Sequence, residues 1–213
     1  KQETVFYYIT VYNENHPMPA LTAAGDDIEA ITDGVLRGAY CFRRSGDEAG
    51  ETINLLASGS IMQQALSAAT RLNELGYLTN IWSVTSYNEL YRDARAVDRW
   101  NRLHPRSAPR RSYLSQLFEN EQGIYVAVSD YQSSLANSIV PWMSGDFTAL
   151  GTDGYGLSES REDLRDYFEI SDTYIVQAAL SALYRQQTIS QATLIEQTQA
   201  LGIEPDKVDS AAV

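Results

Sequence analysis

One cysteine and two histidines in 213 residues leave little room for several kinds of chemistry. The lone Cys41 excludes an internal disulfide, and with only His16 and His104 beside it a zinc site is disfavoured. No histidine lies near Cys41 in sequence, so it reads as a packed small apolar residue rather than a nucleophile. No apolar run approaches the roughly 18 residues that span a bilayer. Nor is there a signal-peptide pattern: Lys1-Gln2-Glu3-Thr4 leads straight into a strand-like run. The chain opens without Met and reads as a cut piece, and a reducing cytoplasm fits it. Cations are scarce, 16 Lys and Arg against 28 Asp and Glu, and a net charge of −12 argues against nucleic acid or anionic membrane as a partner. Internal repeats and low-complexity segments are absent.

What is present suits one well-buried α/β domain: 44% apolar residues with 21% charged. Val5 to Val11, VFYYITV, is dense in β-branched and aromatic residues and reads as a buried strand. Tyr12 to Ala24 is a linker, because Pro17 and Pro19 forbid regular structure. Asp26 to Leu36 reads as a short helix, Gly38 to Arg43 as a strand, and Gly46, Asp47, Glu48, Gly50 and Glu51 as a surface loop. Strands follow at Ile53 to Ala57, Leu78 to Val84, Gly123 to Val128 and Phe147 to Leu150. Between and after them stand helices at Ile61 to Leu75, Asn88 to Leu103, Thr173 to Arg185 and Ser190 to Leu201; Ser134 to Val140 reads as a short helix or a loop. In the second of these helices Leu90, Ala94, Val97 and Trp100 fall at core-facing spacing. Strands alternating with amphipathic helices predict a mostly parallel sheet of about five strands sandwiched by helices.

The most specific stretch is Gly151 to Ile170, GTDGYGLSESREDLRDYFEI. Gly151, Gly154 and Gly156 free the backbone, Asp153 supplies turn chemistry, and Ser158 or Ser160 can cap a charged helix. A phosphate cradle would need a Lys-Ser/Thr ending or the full dinucleotide glycine spacing, and neither occurs. Ser58-Gly59-Ser60 lacks the G-x-S-x-G of a nucleophile elbow, so Ser58 or Ser60 is expected to cap the following helix. His16 and His104, each beside a proline, read as polar loop residues. No catalytic, cofactor-binding or metal-binding residue is assigned.

The unusual charge feature is basic. Arg92, Arg95, Arg99, Arg102, Arg106, Arg110 and Arg111 fall within twenty positions, and the first four share a helix face. Glu89, Asp93 and Asp98 soften it. Arg92, Arg95, Arg99 and Arg102 are interface candidates, since the guanidinium fork pairs with carboxylates of a second subunit or a neighbouring domain. Tyr87, Tyr91, Trp100, Tyr113 and Trp142 around it suit core or subunit contact.

GTDGYGLSESRE, together with YNENHPMPAL (12–21), SVTSYNELYRDA (83–94) and RWNRLHP (99–105), resembles the homodimeric E1 component of the pyruvate dehydrogenase complex. The resemblance runs nearly end to end but matches only the C-terminal part of that longer family. It implies a transketolase C-terminal-like domain over 26–213, preceded at 1–25 by the end of the pyrimidine-binding middle domain and its linker. It further implies a parent enzyme that decarboxylates a 2-oxo acid on thiamine diphosphate with Mg²⁺ and passes the acyl group to a lipoyl-bearing E2. The family's metal site and activating glutamate would lie upstream, and its Gly-Asp-Gly…Asn metal motif does not occur here. The piece alone is therefore expected to be inactive, extending a homodimer interface and buttressing the missing domains. Tyr155 and Leu157 depart from the family's usual Phe and Arg, which removes a charge beside the glycine turn. The alternatives are an E1 for 2-oxobutanoate or a branched-chain 2-oxo acid, and a free-standing interaction module binding an acidic partner through its Arg92–Arg111 face.

Overall fold

Apolar runs of five to seven residues bounded by turns are too short for helices and pair as strands. The computed structural model describes residues 4, 6–12, 15–20, 27–45, 52–121 and 123–212. Within them β1 (Ala39–Arg43), β2 (Thr52–Ala57), β3 (Leu78–Val84), β4 (Gly123–Val128) and β5 (Asp146–Leu150) form one sheet in the order β1-β3-β2-β4-β5. β2 to β5 run parallel, and β1 joins the β3 edge antiparallel. The helices are α1 (Ile28–Arg37), α2 (Met62–Glu74), α3 (Tyr87–Leu103), α4 (Tyr113–Leu117), α5 (Ser133–Asn137), α6 (Arg161–Tyr167), α7 (Asp172–Arg185) and α8 (Gln191–Leu201).

The period of two along each strand divides the core. Ile53, Leu55, Ile81, Ile124 and Val126 face α2 and α7, where Ala65, Ala68, Leu72, Ile175, Ala179 and Leu183 are buried against them. Leu56, Trp82, Tyr125 and Ala127 face the other way, toward Leu90, Leu114 and Ile139 of the α3–α5 layer. Helices therefore cover both faces, as a mostly parallel sheet requires.

Three expectations need correction. Residues 6–12 form no strand: Phe6 is 92% exposed and Tyr8 88%, with Tyr7, Ile9 and Val11 alike. An apolar pattern makes a buried strand only where a sheet is offered, and among the described residues none pairs with this run. Neither Ser58 nor Ser60 caps α2. The chain leaves β2 through a single 3₁₀ turn, Gly59–Ile61, that absorbs Ser60, and the Ser58 hydroxyl donates to the Val84 carbonyl at 3.0 Å. In α3 the buried residues are Tyr87, Leu90 and Ala94, while Val97 and Trp100 are half-buried as the helix runs beyond the sheet. The expected acidic loop at 46–51 lies outside the described residues.

Candidate functional site

Strand order fixes where a doubly wound sheet can hold a ligand. From β2 the chain crosses one face through α2 to β3; from β4 it crosses the other through α5 to β5. The C-terminal ends of the neighbours β2 and β4 thus flank the point where connections part in opposite directions, and a crevice opens there. Its walls are Ser58 to Ile61 after β2, Ser129 and Asp130 after β4, and Thr152 after β5. A cavity of about 210 Å³ extends from it, lined by Ile61, Asp130, Arg165, Phe168 and others.

Tyr12 of the N-terminal segment reaches into this crevice. Its hydroxyl donates to Asp130 Oδ2 at 2.9 Å and accepts from the Ser60 N–H at 3.3 Å. Burial of that hydroxyl pushes the phenol above its ordinary range; the Ser60 N–H opposes this and the Asp130 carboxylate adds to it. Thr152 and Asp153 of the edge are engaged within the fold. Thr152 Oγ1 donates to the Asp130 carbonyl, and Asp153 Oδ1 accepts from the Ser133 N–H at the start of α5. His16 Nε2 stands 3.2 Å from Arg161 Nη1; a guanidinium only donates, so this nitrogen is the acceptor. What this edge can do is hold chain to chain.

The glycine turn works through backbone proximity. At Gly151 a Cβ would collide with the Ser133 amide and Tyr131 carbonyl, and at Gly154 with the Ser210 carbonyl of the C-terminal tail. Gly154 alone of the three has positive φ, +99°; Gly156 meets open space. Ser160, not Ser158, caps α6, accepting from the Asp163 N–H at 3.2 Å. Lys207 pins the tail, with its ammonium 3.0 Å from the Tyr174 hydroxyl and hydrogen-bonded to the Asp166 carbonyl.

On α3, Arg92, Arg95, Arg99 and Arg102 are all exposed. Arg92 pairs with Glu89 at 2.7 Å, whereas Arg95, Arg99 and Arg102 have no ion pair among the described residues. Of the acidic residues expected to soften this face, Glu89 does so through Arg92, while the other two are turned to other work. Asp93 accepts from the Tyr113 N–H at 2.6 Å, and Asp98 from the Trp142 indole at 2.7 Å. Arg110 stacks over Trp100 at 3.8 Å and Arg111 pairs with Glu119, so neither extends the open stripe. His104 lies flat on Trp100, ring centroids 4.5 Å apart. Cys41 is half-buried, and burial raises its thiol despite the opposing Arg44.

Sequence reasoning missed a buried polar network at the opposite, N-terminal end of the sheet. Asn54 Oδ1 accepts from the Trp82 indole at 3.0 Å and from Asn80 Nδ2 at 3.5 Å. Asn80 Nδ2 also donates to Glu121 Oε2 at 3.1 Å, and Arg44 pairs with Glu121 at 2.6 Å. The available signal was an asparagine at the third position of both β2 and β3, inside mostly apolar runs.

Residues 38–171 match the family described as transketolase-like TK C-terminal domain. The chain is similar to the pyruvate dehydrogenase E1 component of Pseudomonas aeruginosa, 39% identical over 209 residues, covering 97% of this chain and 23% of that protein. It is similar to the Escherichia coli K12 pyruvate dehydrogenase E1 component, 37% identical over 211 residues, covering 98% of this chain and 23% of that protein. The chain thus spans about 23% of the length of these curated relatives. Among solved structures it is similar to a transketolase mutant from Pichia stipitis, with a TM-score of 0.54 and 16% identity over 83% of this chain and 21% of that one. Transketolase from the same organism in complex with sedoheptulose-7-phosphate gives 0.53 at 16% identity, covering 80% and 21%. At such identities the likeness shows the fold alone.

Proposed function

Because this chain belongs to the family of transketolase-like C-terminal domains, we propose that it is the C-terminal domain of a pyruvate dehydrogenase E1 component, residues 26–213 forming the domain and residues 1–25 the end of a preceding one. In this reading the parent enzyme works in the cytoplasm as a homodimer. It decarboxylates pyruvate on thiamine diphosphate with Mg²⁺, after glycolysis, and hands the acetyl group to a lipoyl-bearing E2. The domain's own part is to scaffold. It extends the subunit interface and holds the preceding domains without itself touching the reacting atoms.

The observation that carries this is similarity to E1 components over nearly the whole chain, confined to less than a quarter of their length. The geometry supports it. The C-terminal edge of the sheet is occupied by the chain's own Tyr12, and the exposed apolar run of residues 6–11 is suited to a sheet supplied by a preceding domain. The 2-oxobutanoate, branched-chain and free-standing-module readings draw no support from the relatives, which are named as pyruvate dehydrogenase E1 components.

Calorimetry with thiamine diphosphate and Mg²⁺ tests the assignment. The parent protein is expected to bind and the 213-residue chain to give no heat of binding; binding or pyruvate turnover by the chain alone would overturn it.

A further inference from the structure

The crevice at the switch point is where a doubly wound sheet ordinarily admits a ligand. In this protein a side chain of the same molecule, 118 residues away along the chain, holds that position. Tyr12 bridges the two strand ends that define the crevice: its hydroxyl accepts from the Ser60 N–H after β2 and donates to the Asp130 carboxylate after β4. We infer that this crevice is a socket for the chain's own N-terminal segment, and that the Tyr12–Asp130–Ser60 contact is a latch fixing the direction in which the preceding chain leaves the domain.

Four observations converge on it. First, Gly59 is shaped for the phenol. Its φ is +56°, and a Cβ at that position would lie against the Tyr12 hydroxyl, so any side chain there would close the socket. Second, the anchoring is local. Tyr12 is 49% exposed, with its hydroxyl end inserted, while Phe6 to Val11 just before it are almost fully in solvent. A segment with no apolar face in the core is held by directed hydrogen bonds, and one to a carboxylate is among the stronger kinds. Third, two more contacts fasten the residues that follow. Gln63 of α2 donates to the Pro17 carbonyl at 2.7 Å, and Arg161 of α6 meets His16 at 3.2 Å. The His16 ring in turn stands edge-on to Tyr12, centroids 5.6 Å apart. Fourth, Tyr12 supplies the hydrogen bond that the receptor carboxylate accepts. Asp130 Oδ2 takes the phenol, while Oδ1 is buried with no hydrogen-bond partner among the described residues. Asp130 is half-buried, and the bond that Tyr12 supplies offsets part of the cost of desolvating its carboxylate.

The latch stands on this geometry alone and does not depend on the E1 assignment. Three anchors on three different elements (the β2–α2 turn with α2, the β4–α5 loop and α6) set both the position and the direction of the segment. A single contact would leave it free to swing.

Backbone ¹⁵N relaxation on the 213-residue chain tests it, with Tyr12→Phe, Asp130→Asn and the control Tyr8→Phe. In the unaltered chain, order parameters at Val11, Tyr12 and His16 should approach the rigid value of about 0.85; in Tyr12→Phe they should fall toward the flexible range below about 0.6. The Ser60 amide proton should move upfield as it loses its acceptor. Asp130→Asn should reproduce the loosening in part, and Tyr8→Phe should change nothing. Should Asp130→Asn unfold the chain, Tyr12→Phe decides alone, since its ring is half exposed and only a hydroxyl is removed. Order parameters already below about 0.6 in the unaltered chain, or equal in it and in Tyr12→Phe, would overturn the latch.

Discussion

The Trp82 indole N–H donates to Asn54 Oδ1 at 3.0 Å between adjacent parallel strands, inside the core facing α3–α5. Both residues are buried, and Asn54 pairs in register with Asn80, whose own amide bridges to Glu121. Slipping either strand by one residue would turn these polar groups to the apolar face and leave them unpaired. The network therefore selects one alignment among several that hydrophobic burial alone would accept.

Replacing Asn54 by Leu keeps the branched shape at a larger volume and removes both the acceptor and the donor to the Ile124 carbonyl. The Trp82 N–H and part of the Asn80 amide are then left unsatisfied, at an expected cost of about 1–3 kcal/mol. Urea unfolding followed by far-ultraviolet circular dichroism should show a lower midpoint with an unchanged slope. An unchanged midpoint would mean that the network adds nothing to stability.

On the opposite side of the sheet from α7, Arg95, Arg99 and Arg102 have no ion pair among the described residues, because Asp93 and Asp98 are engaged by Tyr113 and Trp142. If this stripe meets carboxylates of a second subunit, reversing Arg95 and Arg99 to Glu should weaken association of the parent protein by at least about tenfold, as a loss of roughly 1.4 kcal/mol would. Sedimentation velocity over a concentration series measures this. Association equal to that of the unaltered protein would remove α3 from the interface.

The glycine turn offers a paired contrast. Gly154→Ala forces a side chain into positive φ beneath the Ser210 carbonyl and should cost about 1 kcal/mol or more, loosening the tail that Lys207 holds. Gly156→Ala meets open space at ordinary φ and should be neutral or slightly stabilising. Thermal melts of the two variants distinguish them; equal effects would show that the turn's backbone geometry is not what these glycines supply.

The parallel strands and the long helices were legible because each combines one clear period with a turn on either side. β2, β3 and β4 agree with their sequence reading to within a residue, and α8 ends at Leu201 as read, with Gly202 after it in a left-handed conformation. The Phe6–Val11 run carries a strand pattern without a sheet, and propensity is a statement about surroundings that a local window does not contain. Ser58 and Ser60 have capping chemistry, yet the 3₁₀ turn at Gly59 places them where capping geometry fails. The roles of Asp93, Asp98, Asn54 and Asp130 were hidden for one shared reason. Their partners Tyr113, Trp142, Trp82 and Tyr12 stand 20 to 118 residues away, and pairings at that separation follow from topology, not from neighbouring residues. The arginine stripe was visible in the sequence; that Asp93 and Asp98 are drawn away from it was not.

The lone antiparallel strand bears on how the chain acquires its shape during synthesis. β1 is made before the other four strands of this sheet, yet its one neighbour among the described residues, β3, follows some forty residues later. The β2–α2–β3 unit can close over a short loop first, since nearby contacts cost least entropy, and β1 must wait to be recruited onto the border that this unit presents. A chain lacking Leu78–Val84 would accordingly hold Ala39–Arg43 without its partner in this sheet.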